Sequence, residues 1–341
     1  MLYKKCQIIV LIPIFLFHVV TSSAQQRDSR VREYLSPIHI VWQQESQLIQ
    51  GAEYLLRSGH GQANLVNNEL CKLSSTGQQH PAILFDFGKE LQGGLQIVTG
   101  MPASHAPVTI RVRLGESVSE AMCDIDEVNG ATNDHAMRDF VISVPWLGVL
   151  EVGNSGFRFA RIDLLDDSAE LHLKEIRAIS IFQDIPYKGS FRCNDERLNQ
   201  IWQTGAYTVH LNMQDYIWDG IKRDRLVWIR DLHPEVMTVN TVFGYNEVIL
   251  KSLDLIRDST PLPQWMTMCT YSLWWILIQR DWYLYQGNLD YLKEQKGHLC
   301  DLLQLIMTRI GEDGLEKFND NEGRFLDWPS CENPLYTKSF H

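Results

Sequence analysis

The feature that most constrains this chain is a change of hydrophobic period near residue 186. Val108, Ile110, Val112 and Leu114 alternate with Thr109, Arg111 and Arg113, the period-two pattern of a strand with one buried face. Past Ile185-Pro186-Tyr187-Lys188-Gly189 the spacing becomes helical, with Leu198, Ile201, Trp202 and Val209 as apolar positions. A sheet and a helix bury apolar residues on different periods. The change therefore predicts two differently built parts. Residues 25–186 read as β-sandwich domain(s) and 187–341 as a helical domain.

Within the first part, residues 25 to about 75 are polar and weakly patterned, an extended lead-in with a strand or two. From Pro81 the signals sharpen. A strand over 82–88 ends at Gly88, Gly93-Gly94 reads as a turn, and a second strand covers 95–99. Further strands are expected over 108–114, 137–144, 157–164 and 176–182. Arg113, Glu116, Arg158 and Arg161 read as solvated strand faces.

In the second part, Asn194 is expected to cap a helix running to about Met213, with Asp195 and Glu196 at its positive end. Further helices are expected up to Phe243, over 246–258, over 270–286 and over 289–310. The 270–286 segment is apolar nearly all round, which predicts an inner, fully buried helix.

The chemistry concentrates in Trp218 to Asp231, reading WDGIKRDRLVWIRD. Asp219, Asp224 and Asp231 sit among Lys222, Arg223 and Arg225, with Trp218 and Trp228 beside them. Burying such a mixture is costly unless the charges pair or meet a polar ligand. Carboxylates that accept from hydroxyls, and aromatic faces that stack on C–H faces, suit a sugar. Gly220 argues against a continuous helix here. The stretch predicts a loop over 218–226 feeding a helix that starts between Asp231 and Pro234, with Asp231 as cap. Phe325-Leu326-Asp327-Trp328-Pro329 repeats the pairing of a carboxylate with an indole.

A net charge of −11 disfavours nucleic acid as a partner and suits a neutral one such as carbohydrate. At the start, Lys4 and Lys5 precede an apolar run over 8–20, too short to span a bilayer, and small residues end at Ala24. This reads as a signal peptide over 1–24, with a periplasmic or secreted mature chain and no membrane contact after cleavage. The wide, irregular cysteine spacing, without CxxC, gives no zinc site. The cysteines read mostly as small buried hydrophobes, and neither a metal nor a cofactor is expected.

The chain resembles the bacterial α-L-rhamnosidases, glycoside hydrolases with an (α/α)6 six-hairpin barrel behind β-sandwich domains. The resemblance rests on Phe85 to Gly94 (FDFGKELQGG), Gly156-Phe157-Arg158-Phe159, Tyr187-Lys188-Gly189-Ser190-Phe191, the stretch Asp219 to Asp231, and Phe325 to Trp328. It covers roughly residues 80 to 335, and the acidic stretch is its most specific part. It implies Asp224 as the general acid, where many members have Glu. It implies Asp219, Arg223, Trp228, Asp231, Asp327 and Trp328 as substrate-binding residues.

The sequence departs from the family at Arg230, where glycine is usual. It departs again in the barrel, of which about five helices follow Ser190. The family's general base, a glutamate late in the barrel, is not found. The fold class expected is therefore a β-sandwich followed by an incomplete (α/α)6 barrel. The expected function is inverting hydrolysis of terminal α-L-rhamnose. A truncated fragment with residual sugar binding, without turnover and prone to aggregate, is the alternative. A non-enzymatic carbohydrate-binding protein is disfavoured, since a lectin does not need three clustered carboxylates.

Overall fold

The computed structural model describes residues 28–66, 68–125, 138–222, 224–264, 266 and 268–317. The expected signal peptide, Arg223, Asp327 and Trp328 lie outside the described residues. Among these residues nine strands come first: β1 (Arg30–Leu35), β2 (His39–Gln44), β3 (Ile49–Gln50), β4 (Cys71–Ser74), β5 (Ala82–Thr99), β6 (Val108–Gly115), β7 (Asp139–Val144), β8 (Gly148–Leu164) and β9 (Glu170–Gln183). A short helix, α1 (Val118–Met122), interrupts them. The later helices are α2 (Glu196–Asn212), α3 (Ile229–Thr238), α4 (Glu247–Ser259), α5 (Cys269–Gln286) and α6 (Leu289–Met307).

All strand pairings are antiparallel, in the order β3-β4-β9-β5-β8-β6-β7, with β1 on β9 and β2 on β5. The nine strands thus form one continuous hydrogen-bonded network. The polar lead-in supplies four strands rather than one or two, because β1 and β2 add to the long strands β9 and β5.

The Gly93-Gly94 turn is not formed. β5 runs straight through it, and 82–88 and 95–99 are one strand with irregular register around residues 86–91 and 93–95. Gly93 has φ 147°, and a Cβ there would lie 2.0 Å from the Ile179 carbonyl oxygen of β9. The glycine permits close backbone approach within a bulge rather than a reversal.

Of the charged strand residues, Arg113 and Arg161 are buried in pairs rather than solvated, whereas Glu116 is exposed as expected and Arg158 keeps 41% of its side chain exposed while pairing. Arg113 and Arg161 are buried and both reach Asp163, Arg161 at 2.6 Å. Arg158 holds Asp86 through two bonds of 2.8 and 2.9 Å. Charges taken out of water need such partners.

The two parts keep separate cores. Ile83, Phe85, Ile97, Ile110, Phe157, Ile162 and Leu173 pack in the sheet. Val209, Leu232, Val236, Leu253, Trp275, Ile278 and Trp282 pack among the helices. Each large apolar side chain buried this way contributes about 1.5–3 kcal/mol. α5 is not buried all round: Trp275 and Trp282 are inside, while Leu277, Leu284 and Tyr285 are exposed. Nor are the described free cysteines mostly buried. Cys71 is, but Cys123 and Cys193 are only partly so, and Cys300 is exposed.

The seam between sheet and helices is polar. His210 Nε2 lies 2.6 Å from the Gln183 carbonyl oxygen. The Tyr207 hydroxyl donates to the Glu90 carbonyl at 2.5 Å, and Gln214 Nε2 to the Ile181 carbonyl at 3.0 Å.

Candidate active site

The acidic stretch occupies the connection from α2 to α3, at the seam. α2 is capped by Asp195, whose carboxylate accepts the Arg197 N–H, rather than by Asn194. After α2 ends, the Trp218 N–H returns to the Asn212 carbonyl at 3.0 Å. Asp219 then closes a loop on Leu226 from both sides. Its N–H donates to the Leu226 carbonyl at 2.9 Å, and its Oδ1 accepts the Leu226 N–H at 2.9 Å. The described residues of 218–226 are therefore a loop, as the sequence predicts.

α3 starts earlier than predicted. Trp228 is its N-cap, Asp231 lies in its first turn, and Pro234 lies inside it. The reason is that Leu232 N–H already bonds the Trp228 carbonyl at 2.9 Å, so Asp231 is helical and no cap. A carboxylate in the first turn still suits the positive end of the helix.

Asp224 is held by the tryptophan four residues on. Trp228 Nε1 donates to Asp224 Oδ2 at 3.1 Å, and the Trp228 ring meets Tyr271 edge to face at 6.4 Å between centroids. The indole can only donate. It occupies Oδ2 as an acceptor. Trp228, which the resemblance implies as a pocket wall, thus also orients Asp224. Arg230, at the second position of α3, is only partly buried.

Electrostatics sort the carboxylates by burial. Burial raises the Asp219 pKa above its ordinary value; the Leu226 N–H opposes this, and the charges of Asp224 and Asp231 add to it. The three aspartates are thus close enough for Asp219 to feel both others. Asp231 is exposed.

Two further glutamates, absent from the residues singled out above, belong to this corner. Glu235, one helical turn after Asp231, is only 7% exposed. It accepts Asn212 Nδ2 at 2.8 Å. Burial pushes Glu235 up to about 8, with Asp231 and Asp219 adding and Asn212 opposing. Glu90, in β5, is also pushed up to about 8, first by burial and then by Glu116. The spacing of Glu235 from Asp231 was the only available signal for it. Glu90 lies inside the Phe85–Gly94 segment already noted.

Among the described residues no three His, Cys, Asp or Glu side chains are arranged to hold a metal ion. No described helix is long and apolar enough to cross a membrane.

Comparison with known proteins shows what this corner resembles. Residues 186–339 match the bacterial α-L-rhamnosidase six-hairpin glycosidase domain. No curated protein sequence matches the chain. Among solved structures, a GH78 family rhamnosidase of Bacillus sp. GL1 superposes with a TM-score of 0.65 at 22% identity, over 82% of this chain and 28% of that one. A rhamnosidase from Klebsiella oxytoca with rhamnose bound gives 0.68 at 16% identity, over 89% and 61%. The α-L-rhamnosidase from Dictyoglumus thermophilum gives 0.54 at 21% identity, over 73% and 30%. The chain thus spans less than two thirds of each of these relatives, and at such identities the superpositions show the fold. Residues 186–339 thus match a six-hairpin glycosidase domain and follow a sheet-rich region, and in both the chain resembles the α-L-rhamnosidases, which are glycoside hydrolases.

Proposed function

We propose that the chain is an α-L-rhamnosidase-type glycoside hydrolase, exported by its N-terminal segment, that removes terminal α-L-rhamnose with inversion. Asp224 is the general acid, donating a proton to the leaving oxygen. Asp219 and Asp231 accept from sugar hydroxyls, and Trp228 borders the sugar while orienting the acid. Arg223, Asp327 and Trp328 complete the substrate contacts. The sheet-rich region is the β-sandwich that precedes the barrel, and α2–α6 are helices of that barrel.

One observation carries this reading: the Asp224 carboxylate is fixed by the Trp228 indole, within a loop that Asp219 closes, inside the segment that matches the glycosidase domain. Inversion further needs an ionised carboxylate about 6.5–9.5 Å from the acid to activate water on the far face of the sugar.

The test is hydrolysis of phenyl α-L-rhamnoside by a form of the protein that also carries the family's late-barrel general base, and by its Asp224→Asn variant, with rhamnose affinity measured by calorimetry. Loss of the proton donor predicts a fall of roughly 10²–10⁴-fold in rate, with affinity for rhamnose kept. Full turnover by Asp224→Asn, or no rhamnose binding by the wild type, contradicts the proposal.

A further inference from the structure

The loop carrying Asp224 is gripped from outside the helical part. Lys222, two residues before Asp224, places Nζ 2.5 Å from Glu120 Oε1 and 3.2 Å from Glu116 Oε2. Both glutamates belong to the sheet region. Glu116 directly follows β6, and Glu120 lies in α1. They are themselves fixed: Glu120 Oε2 accepts the Glu116 N–H at 2.8 Å, and Ser117 Oγ accepts the Glu120 N–H at 3.2 Å. Arg138, itself buried, comes within 3.5 Å of Glu120 Oε1.

Two more contacts bracket the acid. Before Lys222, Ile221 is buried against Gly156 of β8, where any Cβ would meet its side chain at 2.6 Å. After Asp224, Arg225 donates Nη1 to the Asn154 carbonyl of β8 at 2.9 Å. Arg225 has φ 53°, a left-handed conformation rare for a side chain of this kind and one that needs holding by its surroundings.

The Lys222–Glu120 pair is shielded, with 27% and 13% of the side chains exposed. Water screens such a pair less than it does a surface pair. Burial alone would lower the Lys222 pKa. The Glu120 hydrogen bond and the Glu116 and Glu120 charges outweigh it and raise the value, so Lys222 is a cation at neutral pH.

We propose that Lys222 is a positioning residue: held by Glu116 and Glu120, it lets the sheet region, not the helices alone, fix the loop that presents Asp224. Proton transfer needs heavy atoms about 2.6–3.2 Å apart, and a misplacement of about 1 Å costs on the order of 100-fold. That catalytic consequence rests on Asp224 being the acid; the positioning does not.

Amide hydrogen exchange on the full chain tests it without requiring turnover. The readout is the peptide spanning 216–228, which contains the Asp219 amide, donating to the Leu226 carbonyl, and the Leu226 amide, donating to the Asp219 carboxylate. In Lys222→Ala these should exchange faster by on the order of tenfold, while peptides from α4 and α6 keep wild-type rates. Lys222→Arg, which keeps the charge, should restore protection. If Lys222→Ala fails to fold, the double variant Glu116→Gln with Glu120→Gln opens the same clamp from the sheet side. Unchanged loop exchange in a folded clamp variant, or Lys222→Arg as fast as Lys222→Ala, overturns the proposal. Where the wild type turns over phenyl α-L-rhamnoside, Lys222→Ala lowers kcat with little change in KM. If a form that also carries the family's late-barrel general base shows no turnover, the proposed function fails, and exchange alone decides the role of Lys222.

Discussion

Carboxylates gathered around the α2–α3 connection differ less in chemistry than in how much water each keeps. Asp231 is exposed, Asp219 is partly buried and Glu235 is inside. Glu235 therefore carries a clear pH signature. Its folded pKa of about 8 stands above the ordinary 4.5, so the fold binds its proton more tightly than the unfolded chain does. The stabilisation is fully present below about pH 4.5 and is lost as pH rises through about 8. Glu235→Gln removes this part of the slope. The thermal midpoint of the wild type should fall more between pH 5 and pH 8 than that of Glu235→Gln. Glu90 titrates in the same window and is common to both proteins, so it cancels from the comparison. Equal slopes would show that Glu235 does not hold its proton. The three aspartates were legible in the sequence because they cluster with cations and indoles in one short stretch. Glu235 was not, because a glutamate four residues along a helix from an exposed aspartate reads as a solvent-facing charge. Its burial comes from Asn212 and the neighbouring helix α2, which no local pattern announces.

At the scale of elements, glycine gives a paired prediction with opposite signs. Gly93 lies in β5 with φ 147° and the Ile179 carbonyl 2.0 Å from where a Cβ would stand. Gly205 lies within α2 with nothing within 4 Å of its Cβ position. Gly93→Ala should destabilise by roughly 3 kcal/mol. Gly205→Ala should stabilise by about 0.5–1 kcal/mol, as alanine replaces glycine in a helix. Denaturant unfolding of both variants checks this, and a neutral Gly93→Ala would contradict the register of β5 on β9. The same glycine shows why the strand was misread. A turn and a close backbone approach both call for glycine, and sequence alone does not separate them. Helix α4 was legible because Asn246 caps it through the Val248 N–H at 2.9 Å. The start of α3 was misplaced because Asp231 resembles a cap, whereas the backbone is already helical at Ile229. The pairing of Arg113 was not legible because its partner Asp163 lies 50 residues away.

For the whole molecule, the change of period near residue 186 marks the passage from a sheet core to a helical core, and the two meet along a polar seam. Tyr207, His210 and Gln214 from α2 and its end reach carbonyls of β5 and β9, while Lys222 and Arg225 reach the sheet side from the acid loop. The candidate acid thus sits where the two parts meet, and an interface of that kind is a common place for a binding site. The proposed hydrolysis turns on whether Asp224 gives a proton to the leaving oxygen. Leaving-group dependence tests that most directly. Rates of wild type and Asp224→Asn would be compared across aryl α-L-rhamnosides, from nitrophenyl, whose oxygen departs without a proton, to phenyl and alkyl, whose oxygen does not. The account predicts a wild-type to variant ratio that grows steadily as the leaving group becomes more basic. A ratio that stays constant across the series would contradict it.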